Sequence, residues 1–130
     1  MLNNLYFVFT LIILGFFVYK KFAFVGNKNV KNISAEKAHE LMKENKDILI
    51  LDVRTPGEFK SGHIPGAKSV PVSNFASSIA KFEKYKDKPV IVHCASGGRS
   101  PSAVKVLLKN DFSKIYHMNH GLNGWKYGLK

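Results

Sequence analysis

The residues most suited to chemistry lie in one short stretch around residue 94, which reads HCASGGRS. Cys94, the single cysteine of the chain, follows the apolar run PVIV and precedes two adjacent glycines, Gly97 and Gly98. Glycine adopts positive φ angles at little cost, so such a loop can turn its backbone N–H groups inward and bind an anion. A sulfur held there beside a helix N-terminus would be stabilised as the thiolate, with Arg99 adding positive charge. The pattern predicts a nucleophilic cysteine; the alternative is an inert buried cysteine at an ordinary strand-to-helix turn.

Two apolar runs predict the strands that position this loop. Residues 48–53 (ILILDV) and 89–94 (PVIVHC) are short and continuous, as expected of strands buried on both faces of a parallel sheet. Ser100 begins a predicted helix with a proline in its first turn, where the missing N–H is tolerated. In such sheets ligands bind beyond the carboxyl ends of the strands, so Asp52 and Cys94 are expected at the same edge.

The rest of the chain alternates strands with helices. Ser34 can cap a helix whose apolar residues recur on one face, and residues 54–67 are rich in Pro and Gly, which predicts a structured loop. This alternation predicts an α/β domain with a central, mainly parallel sheet flanked by helices. The other predicted elements are a short strand at 68–72, a helix at 75–82, a strand at 114–118 and a short helix at 122–129.

The composition restricts the class of protein. A chain of 130 residues has room for one domain of ordinary size, and one cysteine excludes an internal disulfide. The net charge is +11, but nearly all positive residues are lysines spread along the chain and only two are arginines. Nucleic-acid-binding proteins usually cluster their basic residues and use arginine for bidentate contacts, so no nucleic-acid partner is expected. No cofactor is predicted.

The N-terminal segment predicts a membrane anchor. Residues 1–19 carry no charged side chain, and a helix of about 20 apolar residues crosses the hydrocarbon core of a bilayer. A cleaved signal peptide would need a positively charged start, and a buried helix of the domain would not be apolar on every face. We therefore expect residues 1–25 to form a transmembrane anchor in contact with lipid, residues 26–32 a linker and residues 33–130 the folded domain. Two lysines after the apolar run predict a single-pass membrane protein whose domain lies in the cytoplasm.

Three segments together resemble one protein family. The cysteine loop CASGGRS is similar to the active loop of rhodanese-domain sulfurtransferases, Cys-x-x-Gly-x-Arg-Ser. The stretch LDVRTPGEFKSGHIPGAKSVP resembles the family's other signature, an Asp-x-Arg followed by Gly-His-Ile-Pro-Gly-Ala. The ending HGLNGWKYG resembles the family's closing turn with its tryptophan. The resemblance covers roughly residues 33–129 and keeps the family's order.

This resemblance implies a rhodanese-like fold and the transfer of sulfane sulfur. Cys94 would attack the outer sulfur of a small anionic donor, thiosulfate or a persulfide, and hold that sulfur as its own persulfide. The acceptor would be a thiol or a cyanide-like molecule, including a thiol on a protein. Asp52 and Arg54 would lie beside the cysteine loop, support it and contribute to the rim of the site. The loop residues that would hold the persulfide are Ala95, Ser96, Gly97, Gly98, Arg99 and Ser100, with Arg99 also binding the donor.

Two details of the cysteine loop bear on its substrate. Many family members have arginine immediately after the cysteine, where this chain has Ala95, so thiosulfate is expected to be a poor donor. Related phosphatases and arsenate reductases have a longer loop between cysteine and arginine, whereas Cys94 and Arg99 enclose only four residues. The short loop favours sulfur transfer over the reactions of phosphatases and arsenate reductases. The alternatives are a non-catalytic interaction module at the membrane and, against the loop length, a phosphatase or arsenate reductase.

Two histidines near the motifs, His93 and His63, are assigned structural roles. Alternation along the strand points His93 away from the side chain of Cys94. His63 is expected to form hydrogen bonds within its own loop. His117 and His120 match no zinc-ligand spacing together with the cysteine, so no metal site is predicted.

The remaining candidate residues belong to the scaffold. Glu58 lies close enough in sequence to pair with Arg54 across a short turn. Trp125 and Tyr127 are expected in the core or in the wall of a groove. Neither aromatic residue is predicted to serve as a platform for a ligand.

Overall fold

Five parallel strands form one sheet in the part of the chain that the structure describes. The computed structural model describes residues 2–25 and 27–130, and for residues 2 and 20–25 it describes the backbone alone. The predicted α/β fold with a central parallel sheet flanked by helices is confirmed. The strands, in the order β1-β5-β4-β2-β3, are β1 (Val30–Ile33), β2 (Leu49–Asp52), β3 (Lys68–Ser69), β4 (Val90–His93) and β5 (Ile115–Met118).

Helices cover both faces of the sheet. Side chains alternate along a strand, so Val90 and Val92 of β4 pack with the helices at residues 75–78 and 100–109 on one face, whereas Ile91 packs with the helix at residues 35–44 on the other. Each fully buried aliphatic side chain of this kind contributes about 1.5–3 kcal/mol. The helices are α1 (Leu2–Val25), α2 (Ala35–Glu44), α3 (Pro56–Ser61), α4 (Phe75–Ser78) and α5 (Ser100–Lys109), with 3₁₀ turns at Val72–Asn74, Ile79–Tyr85 and Gly121–Gly124.

The helix predicted after Ser34 and the two predicted central strands are confirmed. The side chain of Ser34 accepts a hydrogen bond from the N–H of Lys37 and so caps α2. Strands β2 and β4 lie within the predicted runs, and all four residues of each are buried. The carboxyl ends of these adjacent strands therefore meet at one edge, where Asp52 pairs in register with His93.

The sheet has one strand that the sequence pattern does not predict. The linker expected at residues 26–32 overlaps Val30–Ile33, which form β1 and pair with β5 at the edge of the sheet. Lys31 and Asn32 are exposed and only Ile33 is buried. An edge strand of this kind lacks the continuous apolar run that identifies β2 and β4, so hydropathy gives no signal for it.

Two other segments differ from the predicted elements. Residues 54–67, expected as a loop, contain α3, which begins with a proline and is capped by Thr55. Thr55 and Glu58 form a capping box, in which each side chain accepts a hydrogen bond from the backbone N–H of the other residue. The helix expected at 122–129 is only the 3₁₀ turn Gly121–Gly124.

The predicted membrane anchor at residues 1–25 is not supported by the structure. Helix α1 extends over this segment, and the side chains of residues 3–19 are exposed. Within the described residues, no helix combines the length and the apolar character needed to cross a membrane. Met1 and Gly26, together with the side chains of residues 2 and 20–25, belong to the predicted anchor and linker and lie outside what the structure describes.

Candidate active site

Cys94 follows β4 at the carboxyl edge of the sheet, where the sequence predicts the site. The residue is fully buried, with 0% of its surface exposed. Its Sγ accepts a hydrogen bond of 3.1 Å from the N–H of Gly97. The hydroxyl oxygen of Ser100, the first residue of α5, lies 3.4 Å from the same sulfur. The thiol is therefore enclosed by its own loop and faces the N-terminus of a helix, as predicted.

The conformation of the loop depends on Gly97. Its φ angle is +97°, a value that favours glycine. A Cβ atom on Gly97 would also collide with the carbonyl oxygen of Asn119. At the neighbouring Gly98 a Cβ atom would meet nothing within 4 Å, and its φ angle is not positive. Of the two adjacent glycines, only Gly97 is required by the backbone.

A second glycine lets the closing segment of the chain pack against the cysteine loop. Gly121 has a φ angle of +67°, and a Cβ atom there would collide with the carbonyl groups of Cys94 and Ala95. The N–H of Leu122 donates to the Cys94 carbonyl at 2.9 Å, and that of Asn123 donates to the Ala95 carbonyl at 3.0 Å. These bonds satisfy two carbonyl groups of the loop and leave its N–H groups free to face the sulfur.

The pKa of Cys94 lies below its usual value. Burial works against this shift because it disfavours the charged thiolate, but hydrogen bonds outweigh it. The hydroxyl of Ser100 stabilises the thiolate, as do the backbone N–H groups of Ser100, Arg99 and Gly97. The loop residues Ala95 and Arg99 are half-buried and Ser96 and Gly98 are exposed. The role predicted for these residues in holding a persulfide stays a prediction.

A chain of polar contacts leads from the thiol to the edge of the sheet. The Ser100 hydroxyl lies 2.6 Å from Nε2 of His117 on β5. Nδ1 of His117 lies 3.2 Å from Oδ1 of Asn32 on β1. Ser100 and His117 are 0% and 4% exposed, so each depends on the other to satisfy its polar atoms. No sequence pattern predicts this group, because it depends on the unpredicted strand β1 and on residues far apart in the chain.

Arg99 binds Glu58 and not the interior of the loop. Its Nη1 and Nη2 donate to Oε1 and Oε2 of Glu58 at 2.6 and 2.9 Å. This pairing lowers the pKa of Glu58 to about 2 and raises that of Arg99. The predicted pairing of Glu58 with Arg54 is therefore wrong, since α3 turns Glu58 towards the cysteine loop.

Asp52 and Arg54 form a buried ion pair beneath the site. The guanidinium of Arg54 donates through Nη2 to Oδ2 of Asp52 at 2.7 Å and to the carbonyl of Gly62 at 2.7 Å. The two residues are 0% and 6% exposed, and their predicted contribution to the rim of the site stays a prediction. They connect β2 with the segment after α3, which agrees with a supporting role.

His93 belongs to this buried pair and not to the thiol. Its Nε2 lies 3.8 Å from Oδ2 of Asp52, and its Nδ1 lies 3.0 Å from the Cys94 carbonyl. Because side chains alternate along β4, His93 lies on the opposite face from the side chain of Cys94. Burial lowers the His93 pKa, which keeps the ring neutral despite the nearby carboxylate.

The other histidines do not converge on a metal site. His63 stacks on Phe59 and hydrogen-bonds the Phe59 carbonyl at 2.8 Å, which confirms the predicted role within its own loop. His120 is exposed. In residues 2–25 and 27–130, no three His, Cys, Asp or Glu side chains are grouped so that they could hold a metal ion.

Comparisons with known proteins identify the family of the domain. Residues 34–127 match the family described as Rhodanese-like domain. The thiosulfate sulfurtransferase GlpE of Pseudoalteromonas translucida is 33% identical over 96 residues, which cover 74% of this chain and 89% of that protein. A sulfurtransferase of Allochromatium vinosum is 29% identical over 101 residues, covering 77% of this chain and 92% of that one.

Solved structures show the same architecture. The crystal structure of a rhodanese-like domain protein from Staphylococcus aureus superposes with a TM-score of 0.69 at 30% sequence identity. The superposition covers 77% of this chain and 96% of that chain. The similarity therefore extends over nearly the whole length of the Staphylococcus aureus protein.

Proposed function

Because the chain belongs to the Rhodanese-like domain family, we propose that it is a sulfurtransferase that carries sulfane sulfur on Cys94. One observation carries the proposal: the N–H of Gly97 and the hydroxyl of Ser100 both face the Sγ of Cys94. Hydrogen-bond donors in this position stabilise a thiolate before the reaction and a negatively charged persulfide after it. The relatives named as sulfurtransferases support the same conclusion.

The reaction proceeds in two steps on one sulfur atom. In the first, the thiolate of Cys94 attacks the outer sulfur of the donor; a new S–S bond forms and the donor's S–S bond breaks. The remainder of the donor leaves with the electron pair, as sulfite from thiosulfate or as a thiolate from a persulfide. In the second, an acceptor thiolate or cyanide attacks the outer sulfur, and Cys94 leaves again as the thiolate. No net oxidant or reductant is needed.

The burial of Cys94 restricts the donor to a slender group. The residue is 0% exposed and its loop covers it, so a terminal sulfur reaches Sγ more easily than a bulky substrate. A short loop with four residues between Cys94 and Arg99 is also narrow for a tetrahedral oxyanion. Both features favour sulfur transfer over the phosphatase and arsenate reductase alternatives.

The charges around the loop favour a persulfide donor over thiosulfate. Arg99 already binds both carboxylate oxygens of Glu58, so much of its charge is neutralised before a donor arrives. Ala95 supplies no charge at the position after the cysteine. Thiosulfate carries two negative charges and gains more from a free guanidinium than a singly charged persulfide does. We therefore propose thiosulfate as the weaker of the two donors.

Formation of thiocyanate from cyanide tests the proposed activity. The full-length chain is assayed with thiosulfate and, separately, with a cysteine persulfide as donor. We expect turnover with both, higher with the persulfide, and none for Cys94→Ser. Turnover that survives Cys94→Ser, or its absence with both donors, would contradict the proposal; the absence would favour the interaction-module alternative.

The membrane location inferred from residues 1–25 and the cytoplasmic position of the domain stay predictions. Separation of membranes from the soluble fraction by centrifugation tests the first. Accessibility of the domain to protease in sealed vesicles tests the second.

A further inference from the structure

The contacts around His117 form an unbroken path that begins at the reactive sulfur. Sγ of Cys94 lies 3.4 Å from the Ser100 hydroxyl oxygen, which lies 2.6 Å from Nε2 of His117. Nδ1 of His117 lies 3.2 Å from Oδ1 of Asn32. The four side chains come from the residue after β4 and from α5, β5 and β1, so the fold brings together residues that are distant in the sequence.

The hydrogen bonds of this path have one consistent direction in the thiol form. The amide oxygen of Asn32 accepts, so Nδ1 of His117 carries the hydrogen and Nε2 presents a lone pair. The Ser100 hydroxyl then donates to Nε2. Its oxygen is left to accept the S–H of Cys94. A histidine whose tautomer is fixed by a partner on the other nitrogen is well suited to accept a proton.

We propose that Ser100 and His117 form a proton relay that removes the thiol proton of Cys94, with Asn32 as the residue that positions the imidazole. The S–H bond breaks as its proton passes to the Ser100 oxygen, and the Ser100 hydroxyl proton passes to Nε2 of His117. Cys94 becomes a thiolate and His117 an imidazolium, so the total charge does not change. The proton returns by the same path. This relay rests on the proposed sulfur transfer, in which the thiolate is the nucleophile.

The surroundings of His117 are compatible with this role. Burial lowers the His117 pKa, so the ring is neutral at rest and its Nε2 presents a lone pair that can accept a proton. In the described part of the chain, α5 presents Ser100 to the ring and β1 presents Asn32. The titratable groups His93 and Cys94 lie at the end of β4 and directly after it.

Two ion pairs lie beyond these neighbours. Behind His93 lies the ion pair of Asp52 and Arg54, and on the outer side of the loop lies that of Arg99 and Glu58. Each of these positive charges has a carboxylate partner within 2.7 Å. The negative charge of the Cys94 thiolate is therefore the charge best placed to stabilise an imidazolium at His117.

The pH dependence of Cys94 alkylation tests the relay without any sulfur donor. The chain has one cysteine, so the mass added by iodoacetamide to the full-length protein reports on Cys94 alone. We expect His117→Gln, which can accept a hydrogen bond but not a proton, to raise the apparent pKa by about one unit. Alkylation would then be about tenfold slower near neutral pH and would converge with the wild-type rate at high pH. An unchanged profile in a folded His117→Gln protein would overturn the proposal.

The exposed His120 provides a matched control, because His120→Gln removes a nearby histidine that is not part of the path. We expect its alkylation profile to coincide with that of the wild type. A shift as large as that of His117→Gln would overturn the relay, since it would show a general effect of removing a histidine.

Asn32→Asp tests the relay in the opposite direction and does not disturb the core, because Asn32 is exposed. A carboxylate on the Nδ1 side makes the ring more basic, so the relay predicts a lower apparent pKa for Cys94 and faster alkylation near neutral pH. An added negative charge without a relay would raise the Cys94 pKa and slow the reaction.

Slower alkylation of Asn32→Asp would overturn the proposal even if His117→Gln does not fold. If the wild-type protein shows the expected alkylation profile but forms no thiocyanate, that result contradicts the sulfurtransferase function and not the relay.

Discussion

The guanidinium of Arg99 binds both carboxylate oxygens of Glu58, at 2.6 and 2.9 Å, although the two residues lie 41 positions apart in the chain. Helix α3 brings the carboxylate to the loop, and its capping box fixes the orientation of the Glu58 side chain. The pair is partly exposed, so its contribution to stability is small. Its larger consequence is for the donor, because the carboxylate competes with any anion for the charge of Arg99.

Glu58→Gln is expected to make thiosulfate a better donor. Glutamine keeps the capping box but removes the charge that neutralises Arg99. The second-order rate of sulfur loading from thiosulfate should rise about fivefold, as for one exposed charge pair worth about 1 kcal/mol. Loading from a singly charged persulfide should rise less.

Glu83→Gln is the matched control for this prediction. Glu83 forms an exposed ion pair with Lys86, at 2.9 Å, on the 3₁₀ segment after α4. Its replacement should leave both loading rates unchanged. Equal rates of sulfur loading from thiosulfate for the wild type and Glu58→Gln would show that Glu58 does not limit anion binding.

Gly97→Ala is expected to damage the cysteine loop. The φ angle of +97° and the contact with the Asn119 carbonyl leave no room for a methyl group. The loss of stability should be about 1–3 kcal/mol in urea denaturation, and sulfur loading should fall because the N–H of Gly97 no longer faces the sulfur. Gly98→Ala, where a Cβ atom meets nothing within 4 Å, should be tolerated. Equal stability of the two variants would contradict this account of the loop.

Asp52→Asn is expected to cost far more stability than a surface change. It leaves the buried guanidinium of Arg54 without a counter-charge, and breaking a buried pair in this way costs about 3–5 kcal/mol. Loss of the exposed pair between Glu83 and Lys86 in Glu83→Gln should have little effect on stability, because solvent screens the two charges. Denaturation in urea measures both, and a cost below 1 kcal/mol for Asp52→Asn would contradict the supporting role of the pair.

The ionisation of Cys94 should make the stability of the fold depend on pH. The folded-state pKa lies below the usual value of the thiol, so the thiolate stabilises the fold above the unfolded-state pKa of about 8.5. This contribution is lost as the pH falls through the folded-state pKa. Denaturation at several pH values should show the stability difference between the wild type and Cys94→Ser shrinking in that window. A difference that is independent of pH would show that the thiol is not shifted.

The cysteine loop could be predicted from the sequence because its signal is local. The apolar run before Cys94, the glycines after it and the proline at the start of α5 are all consecutive. The helix after Ser34 and the central strands could be predicted for the same reason, because caps and apolar runs are short-range patterns.

The partners of the loop could not be predicted in the same way. Asn32 lies on an edge strand with little apolar character, and His117 reaches it only because β1 pairs with β5. The bond between Glu58 and Arg99 could not be predicted either, because the two residues are far apart in the sequence. Arg54 carries the same charge and lies much nearer to Glu58 in the chain. Arg54 itself is buried because Asp52 and the Gly62 carbonyl satisfy its donors, and no local pattern shows that compensation.

The most direct test of the central claim is the intact mass of the full-length chain after incubation with a cysteine persulfide and then with cyanide. We expect the protein to gain the mass of one sulfur atom, cyanide to remove it, and Cys94→Ser to gain nothing. A folded wild-type chain that gains no sulfur from either the persulfide or thiosulfate would contradict the role of Cys94 as the sulfur carrier.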